Sequence, residues 1–184
     1  DGNLIPNFCG SKDVPNGIER ITIEGPLDVQ QNRYKVLTSM LKSSSKRFNR
    51  IDVNRFSEES PEFFAFLVLI CNKTRDLHLY NCQLNDNAAG CLMATLLQWD
   101  GIRKLELADT RHLITVPQVR LLFEGIASSP SLQTLEWDPK NMDDHREAGE
   151  ALIHGLSRNR SLKSFSLYVN PFLEDCSFLP NLMK

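Results

Sequence analysis

Leu77-His78-Leu79-Tyr80-Asn81-Cys82-Gln83-Leu84 is the stretch on which the reading of this chain turns. Leu77 and Leu79 flank a single polar residue. A strand here therefore buries one face and turns His78 to the other, solvent-facing side. The same apolar-x-x-apolar-x-apolar pattern runs through Ile18 to Ile23, Phe48 to Val53, Ile102 to Leu107, Leu132 to Trp137 and Leu162 to Leu167, and through Thr74 to Leu79 with Thr74 in the first place. The central apolar residues are Ile21, Ile51, Leu77, Leu105, Leu135 and Phe165, separated by 30, 26, 28, 30 and 30 residues. Unrelated amphipathic segments would not keep that step, so the chain is read as an internal repeat.

Between the strand segments the apolar period becomes helical. Val36, Leu37, Met40 and Leu41 recur at that spacing, as do Phe63, Phe66, Leu67 and Ile70, then Leu92, Met93, Leu96 and Leu97. Leu121, Leu122 and Ile126 follow, and then Ala151, Leu152 and Leu156. Asp86 suits an N-cap, Pro117 a first turn, and Asp143 or Asp144 another N-cap with Glu147 in the turn behind it. Ser43-Ser44-Ser45, Asp100-Gly101, Ser128-Ser129-Pro130 and Arg158-Asn159-Arg160 read as turns back to the next strand. One strand and one helix cannot bury their apolar faces alone, whereas stacked neighbours can. A period near 28–30 residues leaves room for a full helix per unit and predicts a horseshoe, with a parallel sheet inside and helices outside.

These residues resemble the leucine-rich-repeat superfamily, and its long-repeat, ribonuclease-inhibitor-like class in particular. Leu77-His-Leu79-Tyr-Asn-Cys82-Gln-Leu84 is similar to the family's LxLxx(N/C)xL, and Phe165-Ser-Leu167-Tyr-Val-Asn170-Pro-Phe172 repeats it. The resemblance covers residues 18–182. It implies an α/β leucine-rich-repeat solenoid with a concave parallel sheet of about six strands and a convex layer of helices. It also implies that Cys82 and Asn170 fill the turn after their strands. Thr110 is a small polar substitute at that place, Lys140 marks an irregular loop, and Pro26 and Phe56 mark a divergent or capping end. Residues 1–17 lack periodicity and read as an N-terminal arm or cap before a repeat domain spanning residues 18–184. The apolar pattern of Cys176 to Met183 reads as another helix start and suggests a piece of a longer protein.

Composition removes several function classes. The 184 residues carry a net charge of −2, which offers no bulk positive field to nucleic acid. Lys46-Arg47 in the one basic run, Ser45 to Arg50, reads as a solvated loop. The apolar run Phe63 to Cys71 is too short to span a bilayer and reads as a core helix. Cys9, Cys71, Cys82, Cys91 and Cys176 are odd in number and sparse, so they read as buried free thiols of a reducing, cytoplasmic compartment. The tripeptides Asn72-Lys73-Thr74 and Asn159-Arg160-Ser161 keep a secreted or effector protein as the alternative. The cysteine spacing does not suit a metal, His78 and Cys82 do not suit a nucleophilic dyad, and no phosphate-binding or hydrolase motif is present. No cofactor and no enzymatic activity are expected.

What remains is the sheet's open face. The residues flanking the inward pairs make rows there, and their middle column runs Thr22, Asp52, His78, Glu106, Glu136, Ser166. Glu106 and Glu136 should be neighbours across adjacent strands, where like charges cost stability. Lys104 and Arg50 can relieve that repulsion, which is the plain solubility account. The functional account is an acidic stripe for a protein partner with a basic patch, bound by a monomer through Asp52, Asp76, His78, Tyr80, Lys104, Glu106, Glu136, Asp138 and Tyr168. The loops Thr110 to Thr115 and Asp138 to Asp144 are the competing site. The family resemblance implies a non-enzymatic interaction module. Its alternatives are an actin-pointed-end capping module of tropomodulin type, a GTPase-activating module using Arg111, and a structural segment of a larger solenoid.

Overall fold

The computed structural model describes residues 20–24, 38–39, 41–43, 47–54, 61–82, 86–98, 101–108, 115–138 and 145–168. Strands and helices alternate in chain order: β1 (Arg20–Glu24), β2 (Phe48–Asn54), α1 (Pro61–Lys73), β3 (Thr74–Tyr80), α2 (Asp86–Leu96), β4 (Lys104–Ala108), α3 (Val116–Ser128), β5 (Thr134–Trp137), α4 (His145–Arg158) and β6 (Ser164–Leu167). Residues 38–39 and 41–43, between β1 and β2, are helical. The six strands form one open, all-parallel sheet in the order β1-β2-β3-β4-β5-β6. The fold is α/β. The register pairs Ile21 with Ile51, Ile51 with Leu77, Leu77 with Leu105, Leu105 with Leu135 and Leu135 with Phe165, as the spacing predicts.

The alternation decides which face is buried. Ile51, Val53, Leu77, Leu79, Leu105, Leu107, Leu135 and Trp137 share one apolar core with Phe66, Leu67, Ile70, Leu92, Leu96, Val119, Leu122, Phe123, Ile126 and Leu152 of the helices. Each of α1, α2 and α3 packs on the helix that follows it. Pro117 stands in the first turn of α3, behind Thr115 at the N-cap, whose N–H donates to Gln118 Oε1 at 3.0 Å. Helix α2 begins at Asp86 and Glu147 lies in the first turn of α4. Asp143 and Asp144 lie outside the described residues, as do the arm at 1–17, Pro26, Phe56, Thr110, Arg111, Lys140 and Asn170. Leu97 departs from its expected place on the helix. Helix α2 ends at Leu96, and Leu97 sits in the turn behind it, 46% exposed.

The turns repeat as the strands do. Ser131 Oγ donates to Ile102 O at 3.1 Å, and Ser161 Oγ, one unit later, donates to Leu132 O at 2.7 Å. Asn159 Oδ1 accepts from Leu162 N–H at 2.6 Å while its Nδ2 donates to Ile126 O at 2.5 Å. Asn159 and Ser161 are thus structural members of a turn, which accounts for that tripeptide without a glycan. After β3, Asn81 takes φ 51°, a left-handed conformation that Asn tolerates, and its N–H donates to Ala108 O at 2.9 Å. Cys82 is buried in the same turn, with Sγ donating to Tyr80 O at 3.3 Å and Val53 O at 3.5 Å. Cys71, Cys82 and Cys91 are free thiols, while Cys9 and Cys176 lie outside the described residues.

Two glycines set the distance between helices. A Cβ on Gly125 would come within 2.8 Å of Met93 Cα, and one on Gly155 within 2.8 Å of both Phe123 Cβ and Phe123 O. In an exposed helix Gly→Ala gains roughly 1 kcal/mol of propensity. At Gly155 the obstructing atoms include backbone, so the added methyl must push α4 away from α3. Gly155→Ala is expected to lower stability by about 1–3 kcal/mol, the range for overpacking. Urea unfolding of the variant checks this, and a gain in stability would show that the helices separate freely.

Candidate functional site

The middle column forms as its spacing implies: Thr22 pairs with Asp52, Asp52 with His78, His78 with Glu106, Glu106 with Glu136, and Glu136 with Ser166. Its chemistry differs from that of an acidic stripe. Asp52 accepts from Arg20 Nε at 2.5 Å on one oxygen and from Arg50 Nε at 2.8 Å on the other. Lys104 Nζ lies 2.6 Å from Glu136 Oε1 and 3.6 Å from Glu106 Oε2, so one cation clamps the two facing carboxylates. Burial opposes the Lys104 charge, but the two glutamates outweigh it and raise its pKa above the ordinary lysine value. Three carboxylates are matched by three cations, and the repulsion expected between Glu106 and Glu136 is neutralised within the protein. This is the solubility account in its strong form.

His78 corrects the sequence reading. It is not solvent-facing: it is 1% exposed, and Asp52 beside it is 2% exposed. Alternation gave the right face but not the cover, because long side chains from β2 and β4 close over the shorter imidazole. His78 Nδ1 lies 2.5 Å from Glu106 Oε2, 3.1 Å from the Tyr80 hydroxyl and 3.9 Å from Asp52 Oδ1. Nε2 is buried and has no hydrogen-bond partner among the described residues. A neutral ring that donates from Nδ1 to Glu106 fits this arrangement, since a second proton would sit on Nε2 with no acceptor. Burial holds the His78 pKa below the ordinary value, against the pull of Glu106. Burial and a hydrogen bond to Glu106 push the Tyr80 phenol up to about 12, so it stays a neutral donor.

A pH dependence follows. The unfolded chain protonates His78 near the ordinary value of 6.5, whereas the folded chain does so only at lower pH. Between the two the unfolded state binds more protons, so stability is full above about pH 6.5 and falls as the pH drops, by at most about 1.4 kcal/mol per unit for one proton. Melting curves at pH 7.5 and 5.5 should show the fall, and His78→Gln should shrink it. An unchanged acid slope in the variant would assign the effect to other groups.

The column brings together Asp52, His78, Tyr80, Lys104, Glu106 and Glu136. It does not draw in Asp76, half-buried between Arg50 and Lys104 in the register; Asp138 lies half-buried beyond the end of β5. Tyr168 stands apart, 58% exposed beyond the end of β6. Arg20 and Arg50 belong to the network and were missed as site residues. They stand on the same face in the neighbouring column, and only the ion-pair distances reveal their part. Of the competing loops only Thr115 and Asp138 are described.

Cys71 and Cys91 offer little reactivity. Burial pushes Cys71 up to about 12 and raises Cys91 above its ordinary value. No group of three or more His, Cys, Asp or Glu side chains is placed to hold a metal ion among the described residues. No helix among them is long and apolar enough to cross a membrane. No protein-family model matches the chain, and no curated protein matches it significantly.

Proposed function

We propose that the chain is a leucine-rich-repeat solenoid of the long-repeat, ribonuclease-inhibitor-like class, working as a non-enzymatic protein-interaction module. The observation that carries this reading is the sheet itself. Six parallel strands in sequential order hold one polar column in register on the face away from the apolar core. Side chains fixed on such a lattice lose little entropy when a partner docks. The family term rests on the repeat spacing and on the buried Cys82 of the turn after β3. The functional term rests on fold-level analogy as well as on the face.

The network shifts where contact is expected. Because Asp52, His78, Glu106 and Glu136 satisfy one another, they act as a rigid floor. The residues at its margin, Asp76, Asp138 and the exposed Tyr168, supply the contact, with Tyr168 as the aromatic anchor. Affinity capture from a native lysate with wild type and with Tyr168→Ala/Asp138→Ala tests this. A protein held by wild type and lost from a variant of unchanged melting temperature supports the face. The same proteins captured by both overturn it and point to the strand-to-helix loops.

A further inference from the structure

All strands run the same way, so the turns that enter them line up along one edge of the sheet. The described residues of these turns, 42–43, 47, 73–75, 97–98, 101–103, 128–133 and 158–163, carry eight Lys or Arg and no acid, in a chain whose net charge is −2; the sequence between them adds Lys46 and Asp100. Backbone bonds fix a row along this edge: Arg103 N–H donates to Arg75 O at 2.7 Å, Gln133 N–H to Arg103 O at 2.7 Å and Lys163 N–H to Gln133 O at 2.8 Å. Arg75, Arg103, Arg160 and Lys163 are exposed and form no ion pair among the described residues. The contrast with the middle column is sharp, since there each charge is matched. Helix C-termini favour some positive charge at this edge. That preference does not account for Arg75 and Arg103, which enter strands side by side and repel each other. Among these cations, in the turn before β4, stands Leu97, an apolar side chain left 46% exposed.

We infer that this basic edge is a second docking surface, separate from the sheet face, and that it takes a short acidic peptide segment of a partner protein carrying an apolar side chain for Leu97. Arg guanidinium groups bind carboxylates through two parallel hydrogen bonds, so neighbouring arginines suit neighbouring acidic residues. From β2 to β6 the edge spans about 19 Å at about 4.8 Å per strand, which an extended peptide of about six residues covers. A long polyanion such as nucleic acid would overrun the edge onto a molecule of net negative charge.

The test is fluorescence anisotropy with a labelled eight-residue peptide of glutamates and one central leucine, beside a labelled single-stranded oligonucleotide of equal charge. The proposal expects saturable peptide binding that weakens with salt and falls about tenfold or more in Arg75→Glu/Arg103→Glu. It also expects severalfold loss in Leu97→Ser with the salt dependence kept, and no change in Tyr168→Ala, which separates this edge from the sheet face. Lys163→Glu serves as a second charge variant if the double variant melts at a lower temperature than wild type. Absence of saturable binding, indifference to charge reversal, indifference to Leu97→Ser, or equal or tighter binding of the oligonucleotide would each overturn the assignment.

Discussion

Trp137→Ala is expected to lower the unfolding free energy by about 3–5 kcal/mol, the range for deleting a large aromatic side chain from a packed core. The indole is 1% exposed and lies tilted against Phe123, with ring centroids 5.2 Å apart. It therefore joins strand β5 to helix α3, and its removal opens a cavity that neither side can close alone. A buried Trp N–H normally finds an acceptor, yet Nε1 has no hydrogen-bond partner among the described residues. The apolar neighbours that bury the ring offer it none, and an unsatisfied donor costs about 1–3 kcal/mol. Trp137→Phe removes that donor with only part of the bulk and is expected to cost less than half as much as Trp137→Ala. Urea unfolding of both variants measures this. A loss below about 1 kcal/mol for Trp137→Ala would mean that the strand register is off by one residue.

Glu106→Lys/Glu136→Lys is the second large effect. Read as an acidic stripe, these residues would be reversed at little cost to folding. With Lys104 clamped between them and His78 on Glu106, reversal sets two new cations against a lysine and a buried ring. The two carboxylate side chains are 17% and 23% exposed, which places them between surface pairs worth under about 1 kcal/mol and buried pairs whose breakage costs about 3–5 kcal/mol. A loss of about 2–4 kcal/mol is expected for the double variant. Unfolding at low and high salt checks it: partial rescue at high salt confirms a charge effect, and a loss under 0.5 kcal/mol would return both residues to the role of solvated surface.

The sequence by itself determined the strands, their parallel register and the column that each polar residue joins. Ile21, Ile51, Leu77, Leu105, Leu135 and Phe165 fall opposite one another because a repeated step leaves one alignment that buries every apolar pair. The place of Cys82 was legible through the resemblance, which implies a Cys or Asn in the turn after the strand, and Cys82 is buried there. Only the tertiary structure decided what those positions became. Burial on the helix-free face depends on how far Arg50, Lys104 and Tyr80 reach across their neighbours, and a period-two pattern carries no information about side-chain reach, so His78 read as exposed and is buried. The pairing of Arg20 and Arg50 with Asp52 joins residues up to 32 positions apart, a relation of space and not of spacing. Gly125 and Gly155 look like ordinary weak points of a helix until the neighbouring helix is seen against them. The cations of the strand-entering edge number from none to three in a turn, diluted along the chain, and become a patch only because parallel strands bring the turns to one side.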